Sequence, residues 1–210
     1  MDHALRLFSP DLREQVRANL AAHARHGLAL EGRRAAAVAV TLVAGARGEA
    51  CFVLTRRASR MRAHAGQWAL PGGRMDAGET AAGAAVRELA EEIGLEVAVE
   101  SVLGLLDDYA TRSGFVITPV VVWGGAATEL APNPQEVAAV HRVSLAVLEH
   151  PGVPHVHRIP ESDRPVISIP MVGTHVHAPT AAIVYQLREV ALHGRDTRVA
   201  HFEQPVFAWR

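Results

Sequence analysis

The segment from Pro71 to Glu96, PGGRMDAGETAAGAAVRELAEEIGLE, constrains the fold more than any other part of this chain. Thr80 to Ile93 has helical spacing, with Ala82, Ala85, Val86, Leu89 and Ile93 on one stripe and Gly94 as a stop. At 100° per residue, Glu88, Glu91 and Glu92 fall within an arc of about 100° beside that stripe. One face is core and the adjoining face is acidic. Acidic pairs three and four residues apart cost ~0.2–0.5 kcal/mol each. Carboxylates in the last turn lose a further ~0.3–1 kcal/mol each against the helix dipole. Two arrangements tolerate that cost. The face is solvated and water screens it, or a divalent cation sits among the carboxylates and reverses the sign of every contribution. Hard oxygen donors with open coordination positions suit Mg²⁺ or Mn²⁺. Gly72, Gly73 and Gly78 permit a loop that approaches closely, and Glu79 is placed to reach Arg87 and hold that loop to the helix.

Around this unit the sequence predicts alternating strands and helices. Ser9 before Pro10 starts an amphipathic helix carrying Leu12, Val16 and Leu20, with Gly27 as a stop. Ala35 to Val43 and Ala50 to Arg56 read as paired strands across AGARGE. Residues 57–70 read as a long functional loop holding Arg57, Arg60, Arg62 and Gly66. Strands are expected at Val97 to Val102, Leu103 to Tyr109, Phe115 to Trp123 and Val166 to Ile169. Ser144 is placed to cap a short helix to Glu149, and Pro179 to His193 predicts a last amphipathic helix before Gly194. The pattern implies a mixed sheet between helices, in the α/β or α+β classes, with residues 1–30 as a helical extension and 31–210 as one domain.

Bulk properties exclude several roles. The net charge of −1 gives no general pull toward nucleic acid or a membrane surface, so a charged ligand must be held locally. All 21 basic residues are arginine, which reads as composition bias. One cysteine, Cys51, excludes an internal disulfide and reads as a buried, inert thiol; with no secretory start and no run of ~20 apolar residues, a cytoplasmic location is expected. The pairs His155/His157 and His175/His177 have the alternation of a strand metal site, but twelve histidines make such pairs easy to find.

The acidic helix and its loop resemble the Nudix box. Gly73, Glu79, Arg87, Glu88, Leu89, Glu91, Glu92, Gly94 and Leu95 fill every defined position of that pattern over 23 residues. The resemblance implies a Nudix-type α/β/α sandwich with a mixed β-sheet, and hydrolysis of a nucleoside diphosphate linked to another group. It implies Glu88, Glu91 and Glu92 as metal ligands, the Gly72 carbonyl as a further ligand, and Glu79 with Arg87 as a structural ion pair. Upstream, VLTRRASRMRAHAGQWALPGG resembles the signature of the coenzyme A pyrophosphatase branch at Leu54, Thr55, Arg57, Arg62, His64, Gly66, Gln67, Pro71, Gly72 and Gly73. Val53 and Leu70 differ from it, where that branch favours leucine and phenylalanine.

The branch implies that Arg57, Arg62, His64 and Gly66 contact substrate, and that coenzyme A yields adenosine 3′,5′-bisphosphate and 4′-phosphopantetheine. Arg56, Arg57, Arg60 and Arg62 place guanidinium groups beside the acidic helix, where they can grip phosphate bidentately. PNPQEVAAVHRVSL resembles the family further downstream and carries Glu136, a base, a further ligand or a structural ion pair. The rival expectations are the same chemistry on ADP-ribose, a dinucleotide or a nucleoside triphosphate, and a non-catalytic ligand sensor on the same fold. The N-terminal helix is expected either to pack on the domain or to pair with a second copy as a homodimer.

Overall fold

Nearly every side chain from Ala35 to Val43 is apolar, and such a run has one stable place, the middle of a sheet covered on both faces. A computed structural model describes residues 6–58, 66–126 and 129–209 and shows that arrangement. The elements begin with α1 (Pro10–Ala22), β1 (Arg34–Ala44), β2 (Ala50–Arg57), β3 (Trp68–Ala69), β4 (Gly72–Arg74) and α2 (Ala81–Ile93). They continue with β5 (Val102–Leu105), β6 (Tyr109–Ala110), β7 (Phe115–Gly125), β8 (Val137–Ser144), β9 (His155–Ile159), β10 (Ser162–Met171), β11 (Thr174–His177) and α3 (Thr180–Gln186).

Strand β1 runs parallel to β7 and antiparallel to β2 and β4, in an eight-stranded mixed sheet that also takes in β3, β5, β6 and β8. A separate antiparallel sheet has the order β11, β10, β9. Alternation along β1 supplies two cores. Ala37, Ala39 and Val43 face α2, whose Ala84, Ala85, Leu89 and Ile93 are buried against them. Val40 and Leu42 face the opposite core, shared with Leu12, Val16 and Leu20 of α1 and Ile183 and Val184 of α3. Helices therefore lie on both faces of the sheet.

One pairing detail positions the functional loop. β2 pairs with β1 only at Leu42 to Ala44, and β4 takes over the same edge at Ala36 to Val38. Pro71 to Arg74 is thereby stitched to the central strand just before α2 begins. Thr80 caps α2 by accepting from the Gly83 amide at 3.0 Å, and Gly94 closes it in the left-handed conformation, φ 66°.

Several expected boundaries shift for identifiable reasons. α1 stops at Ala22, well before Gly27, because the following backbone bonds elsewhere: the His26 amide donates to Asp107 and the Leu28 amide to Asp108, both at 2.8 Å. The same two aspartates interrupt the strand expected over Leu103 to Tyr109, leaving β5 and β6 on either side. Val99–Ser101 forms a 3-10 turn where a strand was expected. The last helix has α geometry only to Gln186 and π geometry from Leu187 to Leu192, with Gly194 beyond it at φ 65°. Strand β8, bearing polar residues at His141 and Arg142, was not apparent from periodicity. Among the described residues, no helix is long and apolar enough to cross a membrane.

Candidate active site

The stitching of β4 to β1 brings Gly72 against the β1 backbone, where only a glycine fits, and Gly73 against the Glu88 side chain of α2. A Cβ at Gly72 would stand 2.3 Å from the Ala37 carbonyl oxygen, and one at Gly73 would stand 2.2 Å from Glu88 Oε1. The glutamates differ in surroundings. Glu88 and Glu92 are buried, at 9% and 3% exposure, whereas the Glu91 side chain is 55% exposed. This follows from helical phase, since Glu88 and Glu92 border the stripe formed by Leu89 and Ile93.

Arg87 organises the turn. Its Nε donates to Glu79 Oε1 at 3.0 Å and its Nη2 to Glu79 Oε2 at 3.2 Å, the forked geometry that guanidinium and carboxylate favour. Nη2 also donates to the Arg74 carbonyl at 3.1 Å, tying the loop to the helix. Nη1 donates to Glu88 Oε1 at 2.8 Å and Glu91 Oε2 at 3.0 Å, so Arg87 holds three carboxylates. These bonds, to Glu79 and then Glu88, keep its guanidinium protonated well above its usual range. Glu79, also accepting from the Asp76 amide at 2.9 Å, is held below the usual carboxylate range.

Glu92 has weaker compensation. The Gly72 amide donates to Oε2 at 3.3 Å and Arg57 Nη1 stands 3.8 Å from Oε1. Burial outweighs both and pushes its carboxyl up to about 7, with the charges of Glu88 and Glu136 adding to the rise. Burial likewise raises Glu88, against the pull of Arg87 and with help from Glu91 and Glu136. Glu136 thus lies within electrostatic reach of both; its backbone amide donates to the Asn133 carbonyl and its carbonyl accepts from the Ala58 amide. Among the described residues, no three histidine, cysteine or acidic side chains are gathered into a formed metal cage; Glu88 and Glu91 instead turn to Arg87.

The upstream arginines are arranged differently from a loop cluster. Arg56 and Arg57 end strand β2, so alternation sends them to opposite faces of the sheet. Of these two, Arg57 stands beside Glu92, and its Nε is buried with no acceptor among the described residues. Gly66 adopts φ +70° and donates its amide to the Arg57 carbonyl at 3.2 Å. Arg60, Arg62 and His64 lie outside the described residues.

A cavity of about 610 Å³ opens beside Gly72, Gly73 and Arg57. Sequence reasoning missed most of its wall, which includes Arg34, Arg74, Phe115, Trp68 and, from the C-terminal part, His177 and Phe207. The register of β4 and β7 on β1 assembles this surface, and local pattern carries no signal for it. Cys51 is buried at 2% exposure, and burial raises its thiol to about 11, which disfavours a nucleophile. The four histidines fall on β9 and β11, either side of β10, with His155 and His175 rings 5.3 Å apart.

Comparison with known proteins agrees with this geometry. The family model for the NUDIX domain matches residues 33–165, well over half the chain, and the chain belongs to the Nudix family. It is similar to the uncharacterized Nudix hydrolase NudL of Yersinia pestis (strain Pestoides F), 37% identical over 113 residues that cover 53% of this chain and 56% of that one. The same figures hold for NudL of Yersinia pseudotuberculosis serotype O:1b (strain IP 31758). The chain thus spans about half the length of the curated relatives it matches. Among solved structures, a MutT/nudix family protein from Enterococcus faecalis has a similar fold, with 15% identity, a TM-score of 0.51, and coverage of 85% of this chain and 73% of that one.

Proposed function

We propose that the chain is a metal-dependent pyrophosphatase that cleaves the diphosphate bond of a nucleoside diphosphate derivative. Coenzyme A or an acyl-coenzyme A is the favoured substrate, giving adenosine 3′,5′-bisphosphate and 4′-phosphopantetheine or its acylated form. The observation that carries this proposal is the acidic turn of α2, where Glu88 and Glu92 are buried with raised pKa values against Gly73 and Gly72, two residues that line a large cavity. Perturbed carboxylates beside a cleft are the usual mark of a working site.

The donor chemistry fits a divalent cation, which Nudix hydrolases generally use. Glu88, Glu91, Glu92 and the Gly72 carbonyl are hard oxygen donors, and desolvated carboxylates gain most from a nearby positive charge. Mg²⁺ or Mn²⁺, when bound, would lower the pKa of an attacking water and neutralise charge on the diphosphate. The remaining work belongs to the protein's own groups. Arg57, with an unpartnered buried Nε, offers a guanidinium to a phosphate oxygen at the cavity rim. Arg87 restrains Glu88 and Glu91, and through the Arg74 carbonyl it fixes the loop against which the diphosphate would lie. Glu136 is offered as base or further ligand, on the strength of its field at Glu88 and Glu92. Arg62 and His64 are assigned to substrate on the sequence signature alone.

The test is turnover of coenzyme A, ADP-ribose and NADH with Mg²⁺, with and without chelator. Glu88→Gln should lower kcat by about 10²-fold or more with an unchanged circular dichroism spectrum. Near-normal turnover by that variant removes Glu88 from the metal site, and equal turnover of all three compounds removes the preference for coenzyme A.

A further inference from the structure

The cavity extends from Gly72 across the face of the sheet opposite α2, and its far end is basic. Register puts Arg34 of β1 opposite Phe115 of β7, Ala36 opposite Ile117, and Ala36 also opposite Arg74 of β4. Directly paired residues point to the same face, so Arg34, Arg74 and Phe115 share one surface. The Arg34 guanidinium carbon is 4.1 Å from the Phe115 ring centroid and that of Arg74 is 5.7 Å from it.

Neither guanidinium has a carboxylate partner among the described residues. Arg25, Arg57, Arg87, Arg112, Arg188 and Arg198 all have one. Two like charges gathered on one ring repel each other, and cation-π attraction at an exposed site is worth only ~0.5–1 kcal/mol each. An anion between them converts the repulsion into two attractions. A phosphomonoester suits that place better than a carboxylate, because it has three acceptor oxygens for two planar forks. The cavity is also lined by Val38, Leu70 and Ile117, which cannot solvate a charge.

We propose that Arg34 and Arg74, seated on Phe115, bind a phosphomonoester that the substrate carries apart from its scissile diphosphate, and so select nucleotides bearing that third phosphate. This rests on the pyrophosphatase reading above. It assigns the recognition to residues outside the Val53 to Gly73 signature.

The experiment measures kcat/KM with Mg²⁺ for two pairs of compounds that differ by one phosphomonoester, coenzyme A against 3′-dephospho-coenzyme A and NADPH against NADH. Wild type, Arg34→Ala, Arg74→Ala and Arg34→Lys are compared. Wild type should prefer the phosphorylated member of the cleaved pair by roughly tenfold or more. Arg34→Ala should abolish most of that preference, mainly through KM, while leaving the member without the phosphate within about twofold of wild type, and Arg74→Ala should lower the preference as well. Arg34→Lys should retain part of it. A wild type indifferent to the phosphate, or a loss shared by both members of a pair, overturns the inference and leaves the pyrophosphatase activity standing. No turnover of any of the four compounds, with Mg²⁺ or Mn²⁺, defeats the underlying function and the inference together.

Discussion

Two groups of buried carboxylates in this protein have opposite fates. In the C-terminal half, Glu203 is 1% exposed, and burial alone would raise its pKa. Bonds from Arg112, the Gln204 amide and the Ser162 hydroxyl outweigh burial and hold it at about 2. Asp107 behaves alike: the His26 amide, Arg198, Gln186 and His23 overcome its burial and keep its pKa low. On α2, Glu88 and Glu92 are comparably hidden, yet burial prevails and both are raised. The difference lies in how completely the fold satisfies each group. A carboxylate supplied with three or four donors is a structural tie, and one left short of positive charge is suited to an incoming cation.

The contrast can be broken most forcefully at Glu203. Glu203→Ala removes the acceptor for Arg112, Ser162 and Gln204 and strands a buried amide, so urea unfolding should show a loss of about 2–5 kcal/mol. A loss below about 1 kcal/mol would mean that this carboxylate is no better placed than those of α2.

The second test uses pH. Glu92 has a pKa of about 7 when folded against 4.5 in a free chain, so the folded state binds the extra proton between those values. In chelator, its contribution to stability should therefore fall as pH rises from 4.5 to 7, by on the order of 2–3 kcal/mol. Glu92→Gln should flatten that slope and raise the melting temperature at pH 8. Glu203 acts in the other direction and lower down, its contribution being present above pH 4.5 and lost as pH falls through about 2. A melting curve for Glu92→Gln that parallels wild type from pH 5 to 8 would contradict the contrast.

The smallest effect belongs to Glu91. Because Glu91 is more than half exposed and, among the described residues, paired with Arg87 alone, Glu91→Gln should change stability by no more than about 0.5 kcal/mol. Its effect on turnover, set beside that of Glu88→Gln, separates ligand strength from burial.

Much of this architecture was readable before any coordinates. The helix from Thr80, the apolar strands on either side of AGARGE, and the acidic stripe all follow from local periodicity, and the family follows from the spacing of the glutamates. Other features depend on residues distant in sequence. Asp107 and Asp108 end α1 and split a strand through bonds across some 80 residues. Arg34, Arg74 and Phe115 become neighbours only through strand register. Arg57 had a signal in the signature, but its position beside Glu92 required the bulged pairing of β2 with β8 at Val137.

The close approach at Gly73 makes this protein vulnerable in an unusual way. The three atoms nearest a methyl group there all belong to the tip of a pliant side chain, Glu88, so the chain can absorb it by swinging that carboxylate aside. On the proposed role of Glu88, such a lesion would pass unnoticed in expression, solubility and melting assays and would lower turnover by moving an oxygen a few ångströms.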